Sequence, residues 1–284
     1  MFFFPLHSLH PSRKLTNMPP VRRRAFTLLE IIIVIGIISM LMALLLAATE
    51  RARHKAYIAA CGSNLRQLGQ ALAIYTNENH GWYPRTIYVP GTVPVAGTGT
   101  ASTDPFTPGG PSANDMTAPI WLLTRIEKLP TKILLCPYGD VNEFTPDPAI
   151  PTKQANFTDY HKSLGYSYAN PYPDTTAVAA GYRLTSKIRA DFALMADLNP
   201  GVNLPHKSDV FAPTPTSITS EMRKANSENH EREGQNVLYA DGHVTYQFTC
   251  FCGVNQDNIY TPQTGNILLT SPVNKDDSLL LPLD

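Results

Sequence analysis

The 284-residue sequence predicts an α+β fold in which one long N-terminal helix packs on an antiparallel sheet. Three observations carry that prediction. No proline occurs between Phe26 and Asn79, and helix formers fill most of the interval. Leu65, Leu68, Leu72 and Tyr75 recur at three- and four-residue steps, giving the second half of that helix one apolar stripe. In "GQNVLYADGHVTYQF", residues 234–248, two alternating runs flank Asp241 and Gly242, the strongest short-range hairpin signal.

Residues 1–25 carry Arg13, Lys14, Arg22, Arg23 and Arg24 and no acid. The rest of the chain therefore holds 18 basic against 23 acidic side chains. A mildly acidic body lacks the basic face of a nucleic-acid binder, so DNA and RNA are excluded as partners. Only 16% of residues are charged, while Pro (25) and Tyr (13) are plentiful, a composition that suits a loop-rich exported domain. Four cysteines in such a chain permit two disulfides, whose connectivity the sequence leaves open.

Residues 26–48 are a 23-residue run with one charge, Glu30, long enough to cross a hydrocarbon core of about 30 Å. Fourteen of them are Phe, Leu, Ile or Val. At roughly 0.3–0.6 kcal/mol each they favour insertion by about 4–8 kcal/mol, more than the ~3 kcal/mol that a central acid costs. The three arginines before the run keep that end in the cytoplasm by the positive-inside tendency, which places the remainder outside the inner membrane. A secretory signal has a shorter apolar run and a small-residue cleavage site after it. An uncleaved signal anchor fits the length but gives Glu30 no task, and an intramembrane acid has a partner or a role.

Arg-Ala-Phe-Thr-Leu-Leu-Glu followed by an Ile/Leu/Val run, residues 24–30 and onward, resembles the signal of type IV prepilins and type II secretion pseudopilins. The resemblance implies a pilin-like α+β fold and cleavage by a prepilin peptidase between Ala25 and Phe26. It also implies N-methylation of Phe26 and pairing of Glu30 with the N-terminal amine of a neighbouring pilin or pseudopilin subunit on an inner-membrane assembly platform. The family usually has Gly before the cut, where this chain has Ala25. Residues 1–25 are then the leader, and a start at Met18 would leave the short leader MPPVRRRA. Residues 26–48 form the membrane and assembly helix and 49–80 its continuation on the head. The implied location is a single pass of the inner membrane with the head, residues 81–284, in the periplasm, and then an extracytoplasmic filament.

Within the head, Gly62, Ser63 and Asn64 are the point where the long helix would kink or break. Residues 88–119, rich in Pro, Gly and Thr, read as a long surface loop, a flexible insertion or an exposed contact surface. "IWLLTRIEKL" reads as a short amphipathic helix, "KILLCP" as a short buried strand, and residues 166–169 and 192–196 as two more strands. Residues 235–248 should form a hairpin with a type I′ turn at Asp241 and Gly242, both at positive φ. "CGSNLRQLGQALAIYTNENHGWYP", "LLCP" and "NHEREGQNVLYADGHV" also resemble a pilin-like family of planctomycetes and verrucomicrobia ending in a His, spacer, Asp-Gly motif, here His230 and Asp241.

Cys61 on the helix and Cys136 in "LLCP" are candidates for a disulfide between helix and sheet, worth about 2–4 kcal/mol. Cys250 and Cys252 form a C-x-C pair too tight for an unstrained disulfide. His230, Asp241 and His243, with Asp197 or His206, are candidate metal ligands without compact spacing, and calcium held by loop oxygens is the other cation considered. No cofactor is required. No nucleophile elbow, zinc-protease helix or nucleotide-binding loop is present, so the reading is structural, not enzymatic. The alternative is a membrane-anchored, extracytoplasmic protein that binds a ligand such as a polysaccharide through the long loop and the region of His230 and His243.

Overall fold

Helix α1 runs unbroken from Leu28 to Glu78 in the computed structural model, which describes residues 26–138, 154–201, 213–262 and 270–282. The expected leader and the cleavage-site residue Ala25 lie outside the described residues, as does His206. The chain forms two compact units, Met1–Thr49 and Glu50–Asp284, and α1 contributes to both.

In the first unit the large apolar side chains described between Phe26 and Leu46 are all exposed, from 44% at Ile38 to 79% at Phe26. By length and composition this part of α1 is able to cross a membrane. In the second unit the stripe Leu65, Leu68, Leu72 and Tyr75 is buried. It packs with Ile120, Trp121, Tyr166, Met195 and Leu238 in one core cluster.

The sheet is a five-stranded antiparallel sheet in the order β4-β3-β2-β1-β5. Its strands are β1 (Tyr166–Ala169), β2 (Ala193–Asp197), β3 (Gln235–Tyr239), β4 (Val244–Gln247) and β5 (Leu280–Leu281). β1, β2 and β3 are buried at every position, so their polar side chains Ser167, Asp197, Gln235 and Asn236 are buried along with the apolar ones. β4, at the edge, is part-exposed. Among the described residues, three short α-helices accompany the sheet: α2 (Ala118–Ile126), α3 (Thr175–Ala179) and α4 (Thr219–Lys224).

Four local expectations change. α1 does not break at Gly62, because a Cβ there would lie 3.1 Å from Asn236 Oδ1, and at Gly69 one would lie 2.8 Å from Leu238 Cδ1. The glycines let the helix approach β3 closely rather than ending it. Asn64 is an anchor rather than a cap, its Nδ2 donating to Leu135 O (3.0 Å) and Tyr166 Oη (3.2 Å). "KILLCP" is a 3-10 turn, Thr131–Leu134, not a strand. Leu134 O accepts from Gly165 N, and Leu135 O accepts from the side chains of Asn64 and Tyr166, so no ladder forms.

The hairpin turn is not type I′, since only Gly242, at φ 88°, has positive φ. Gly242 N donates to Tyr239 O and Tyr239 N to His243 O, the pattern of a three-residue loop with a glycine bulge. Residues 88–119 are not a loose insertion. They close around Asp115, which is fully buried. Its Oδ2 accepts from Thr98 N and Oγ1, and its Oδ1 from Thr117 N and Oγ1 and from Ala118 N at the start of α2.

Candidate functional site

The N-terminal end of α1 is closed by a reciprocal side-chain cap. Thr27 N and Oγ1 donate to Glu30 Oε2 at 2.8 and 2.9 Å, and Glu30 N donates to Thr27 Oγ1 at 3.2 Å. Thr-Leu-Leu-Glu is the S/T-x-x-E capping box, which satisfies backbone donors that the first turn of a helix leaves open. The four residues 27–30 carry that signal in the sequence itself. Both of these bonds to the carboxylate fall on Oε2, and among the described residues Oε1 takes no part in the cap. Phe26, the residue before the cap, is 79% exposed. Glu30 therefore has a local task and an oxygen left over for a second one.

In the second unit, Cys61 Sγ and Cys136 Sγ are bonded, with Cα atoms 5.4 Å apart. Cys61 lies on the buried stripe of α1 and Cys136 follows the 3-10 turn, where Gly165 passes so close that a Cβ would meet Cys136 N at 2.4 Å. His230, fully buried in a short 3-10 turn, places its Nε2 3.9 Å from Cys136 Sγ and 3.0 Å from Asp197 Oδ2. Asp197, at the end of β2, is also fully buried, and its Oδ2 accepts from Asn236 N (2.6 Å) and Nδ2 (3.1 Å). Among the described residues, two buried atoms of this group, Asp197 Oδ1 and His230 Nδ1, have no hydrogen-bond partner. Around it stand His54, Tyr138 and Tyr246, with ring centroids 6.0–6.2 Å from that of His230. Burial first, and the charge of Asp197 second, push the Tyr246 phenol up.

The three candidate ligands His230, Asp241 and His243 do not converge. Asp241 and His243 pair with each other at the exposed turn, where Asp241 Oδ1 accepts from His243 N, while His230 turns inward to Asp197. The turn needs a side-chain acceptor for its own backbone, and the core needs a partner for a buried imidazole, so the motif serves two places. Among the described residues, the potential ligand atoms of Cys61, Cys136, Asp197 and His230 lie within 4.8 Å of one another. Sequence spacing gave no hint of this quartet, because its members come from four segments. The ligand-binding alternative loses His230 as a surface group for the same reason.

Cys250 and Cys252 are free thiols. Burial pushes the Cys250 thiol up to about 12, so it is not a ready nucleophile. It packs against Met222, with the sulfurs 3.9 Å apart.

An exposed apolar helix that opens on a capped acid, followed by an antiparallel sheet packed on the same helix, defines an α+β protein of pilin-like layout with one segment fit for a membrane. The family model described as prokaryotic N-terminal methylation motif matches residues 21–46. No curated protein and no solved structure matches the chain. The chain is type IV prepilin- or pseudopilin-like: it carries the motif of precursors that a prepilin peptidase processes and that assemble with other pilins. Proteins with this motif are typically structural.

Proposed function

We propose that the chain is a subunit of a type IV pilus-like or type II secretion-like filament, cut between Ala25 and Phe26, methylated on Phe26 and held in the inner membrane with its second unit in the periplasm until assembly. The observation that carries this reading is the methylation motif matched over residues 21–46, together with the exposure, among the described residues, of the large apolar side chains from Phe26 to Leu46. Such a surface is stable in lipid or against like helices.

Glu30 Oε1, free of the cap, is the acceptor for the amine created at Phe26 of a neighbouring subunit. A buried carboxylate is costly alone and tolerable opposite a cation, so the pair favours one stagger between packed helices. Cap and pairing are separable by mutation, because glutamine at this position keeps the capping box and removes the charge. Glu30→Gln should therefore leave insertion and helix content unchanged and abolish incorporation into filaments. Thr27→Val, which removes the hydroxyl and keeps the charge, should still assemble. Wild-type incorporation by Glu30→Gln would reduce Glu30 to a cap and sink the pairing. Mass spectrometry of the mature N-terminus tests processing: methylated Phe26 is expected, and a mature pool carrying the leader would overturn the filament reading.

A further inference from the structure

We propose that, when the Cys61–Cys136 bond is reduced, both sulfurs join His230 Nε2 and Asp197 in a four-ligand site for a tetrahedral divalent cation of the zinc type, so that disulfide and metal are alternative cross-links through α1. The donor set is one that such a cation takes: two thiolates, an imidazole and a carboxylate. With metal–sulfur and metal–nitrogen bonds of about 2.3 and 2.0–2.1 Å, the edges of a tetrahedral site span roughly 3.3–3.8 Å. The four ligand atoms already lie within 4.8 Å of one another, and His230 Nε2 is 3.9 Å from Cys136 Sγ. Parting the two sulfurs by rotation about their Cα–Cβ bonds, with the Cα atoms 5.4 Å apart, opens the centre of the group.

The disulfide alone explains neither Asp197 nor His230. All four residues are 0–1% exposed, and a buried carboxylate with one oxygen unpaired is costly. A dication held by two thiolates and a carboxylate leaves one net negative charge, toward which Asn236 N and Nδ2 already donate at Asp197 Oδ2. His230 must offer the lone pair of Nε2, so the ring proton sits on Nδ1, the atom without a partner in the disulfide form.

The redox step balances with a dithiol as reductant. The sulfur–sulfur bond takes two electrons and two protons to give two thiols, while the dithiol becomes a disulfide. Metal capture then releases those two thiol protons.

The test uses the full chain in detergent micelles without oxygen. A phosphine serves as reductant, since it does not compete for the metal and passes to its oxide with oxygen from water. Cobalt(II) is the probe. Reduced wild type should bind one cobalt per chain with sulfur-to-cobalt charge-transfer and tetrahedral d–d absorption, and the oxidised protein should show neither band. Cys61→Ser, which leaves one thiolate of the two, should lower the charge-transfer intensity to roughly half. His230→Ala and Asp197→Asn should weaken binding by more than about 10-fold, the low end of what removing even an outer-shell partner costs.

On wild type alone, zinc should slow alkylation of Cys61 and Cys136, mapped by peptide mass, and leave Cys250 and Cys252 unchanged. This readout holds even if a variant fails to fold. Absence of the charge-transfer band in reduced wild type, undiminished intensity in Cys61→Ser, or unprotected Cys61 and Cys136 would each overturn the proposal. None of these outcomes bears on filament assembly, which rests on residues of the first unit.

Discussion

The two halves of α1 share one backbone conformation and meet opposite surroundings. From Phe26 to Leu46 the apolar side chains of the first unit are exposed, and a Cβ built on Gly36 would meet nothing within 4 Å. From Cys61 to Tyr75 an apolar stripe is buried in the second unit, and Gly62 and Gly69 are there because β3 lies against them. A helix that is apolar all round and one that is apolar on a single face are thus written into the same element. The first needs a solvent other than water, and the second is satisfied by its own sheet. Stability of the second unit should accordingly answer to substitutions in one half of α1 and ignore the other.

The largest break in that comparison is Leu68→Ala, which empties a fully buried position and should cost the second unit about 2–5 kcal/mol in denaturant unfolding of the full chain in detergent. Leu41→Ala, at a position 61% exposed, should leave the same transition within about 0.5 kcal/mol. Equal losses would mean that the first half packs on the second unit after all.

An intermediate effect comes from Asp257. Burial first, and the charge of Asp277 second, push its carboxyl up to about 7. The fold therefore favours the neutral acid, and its contribution is complete below 3.8 and lost as the pH rises through about 7. Asp257→Asn keeps an acceptor for Ser278 N and should flatten the stability profile in that window. Above it the variant should be the more stable by on the order of a few kcal/mol. A profile identical to wild type would remove Asp257 from the account.

The smallest effect sharpens the contrast between glycines. Gly69→Ala gains about 1 kcal/mol in helix propensity and sets a Cβ 2.8 Å from Leu238 Cδ1, an overpacking that costs about 1–3 kcal/mol. The net expectation is a loss of about 1 kcal/mol in the unfolding of the second unit, against none for Gly36→Ala.

Legibility in the sequence followed the range of the interactions. α1, its buried stripe, β1, β2 and the β3–β4 hairpin were readable because each is announced by periodicity or turn residues within a few positions. The capping box was equally local and could have been read from Thr27 and Glu30. "KILLCP" misled because the periodicity of so short an apolar run does not distinguish a buried strand from a buried helical turn. The loop over 88–119 misled because polar, glycine-rich composition says nothing about a single buried acid, Asp115, gathering five donors from Thr98, Thr117 and Ala118.

By itself, then, the sequence determined which surfaces of this chain shun water, where its N-terminal acid sits and what class of precursor it resembles, since hydrophobic pattern and short motifs act over a turn or two of helix. Only the tertiary structure decided that Cys61, Cys136, Asp197 and His230 share one buried place. It also decided that Asp241 and His243 serve a turn, and that Gly62 and Gly69 are points of contact rather than breaks. Those outcomes depend on strands and helices far apart in the chain closing on one another, and no local preference encodes which side chains will then meet.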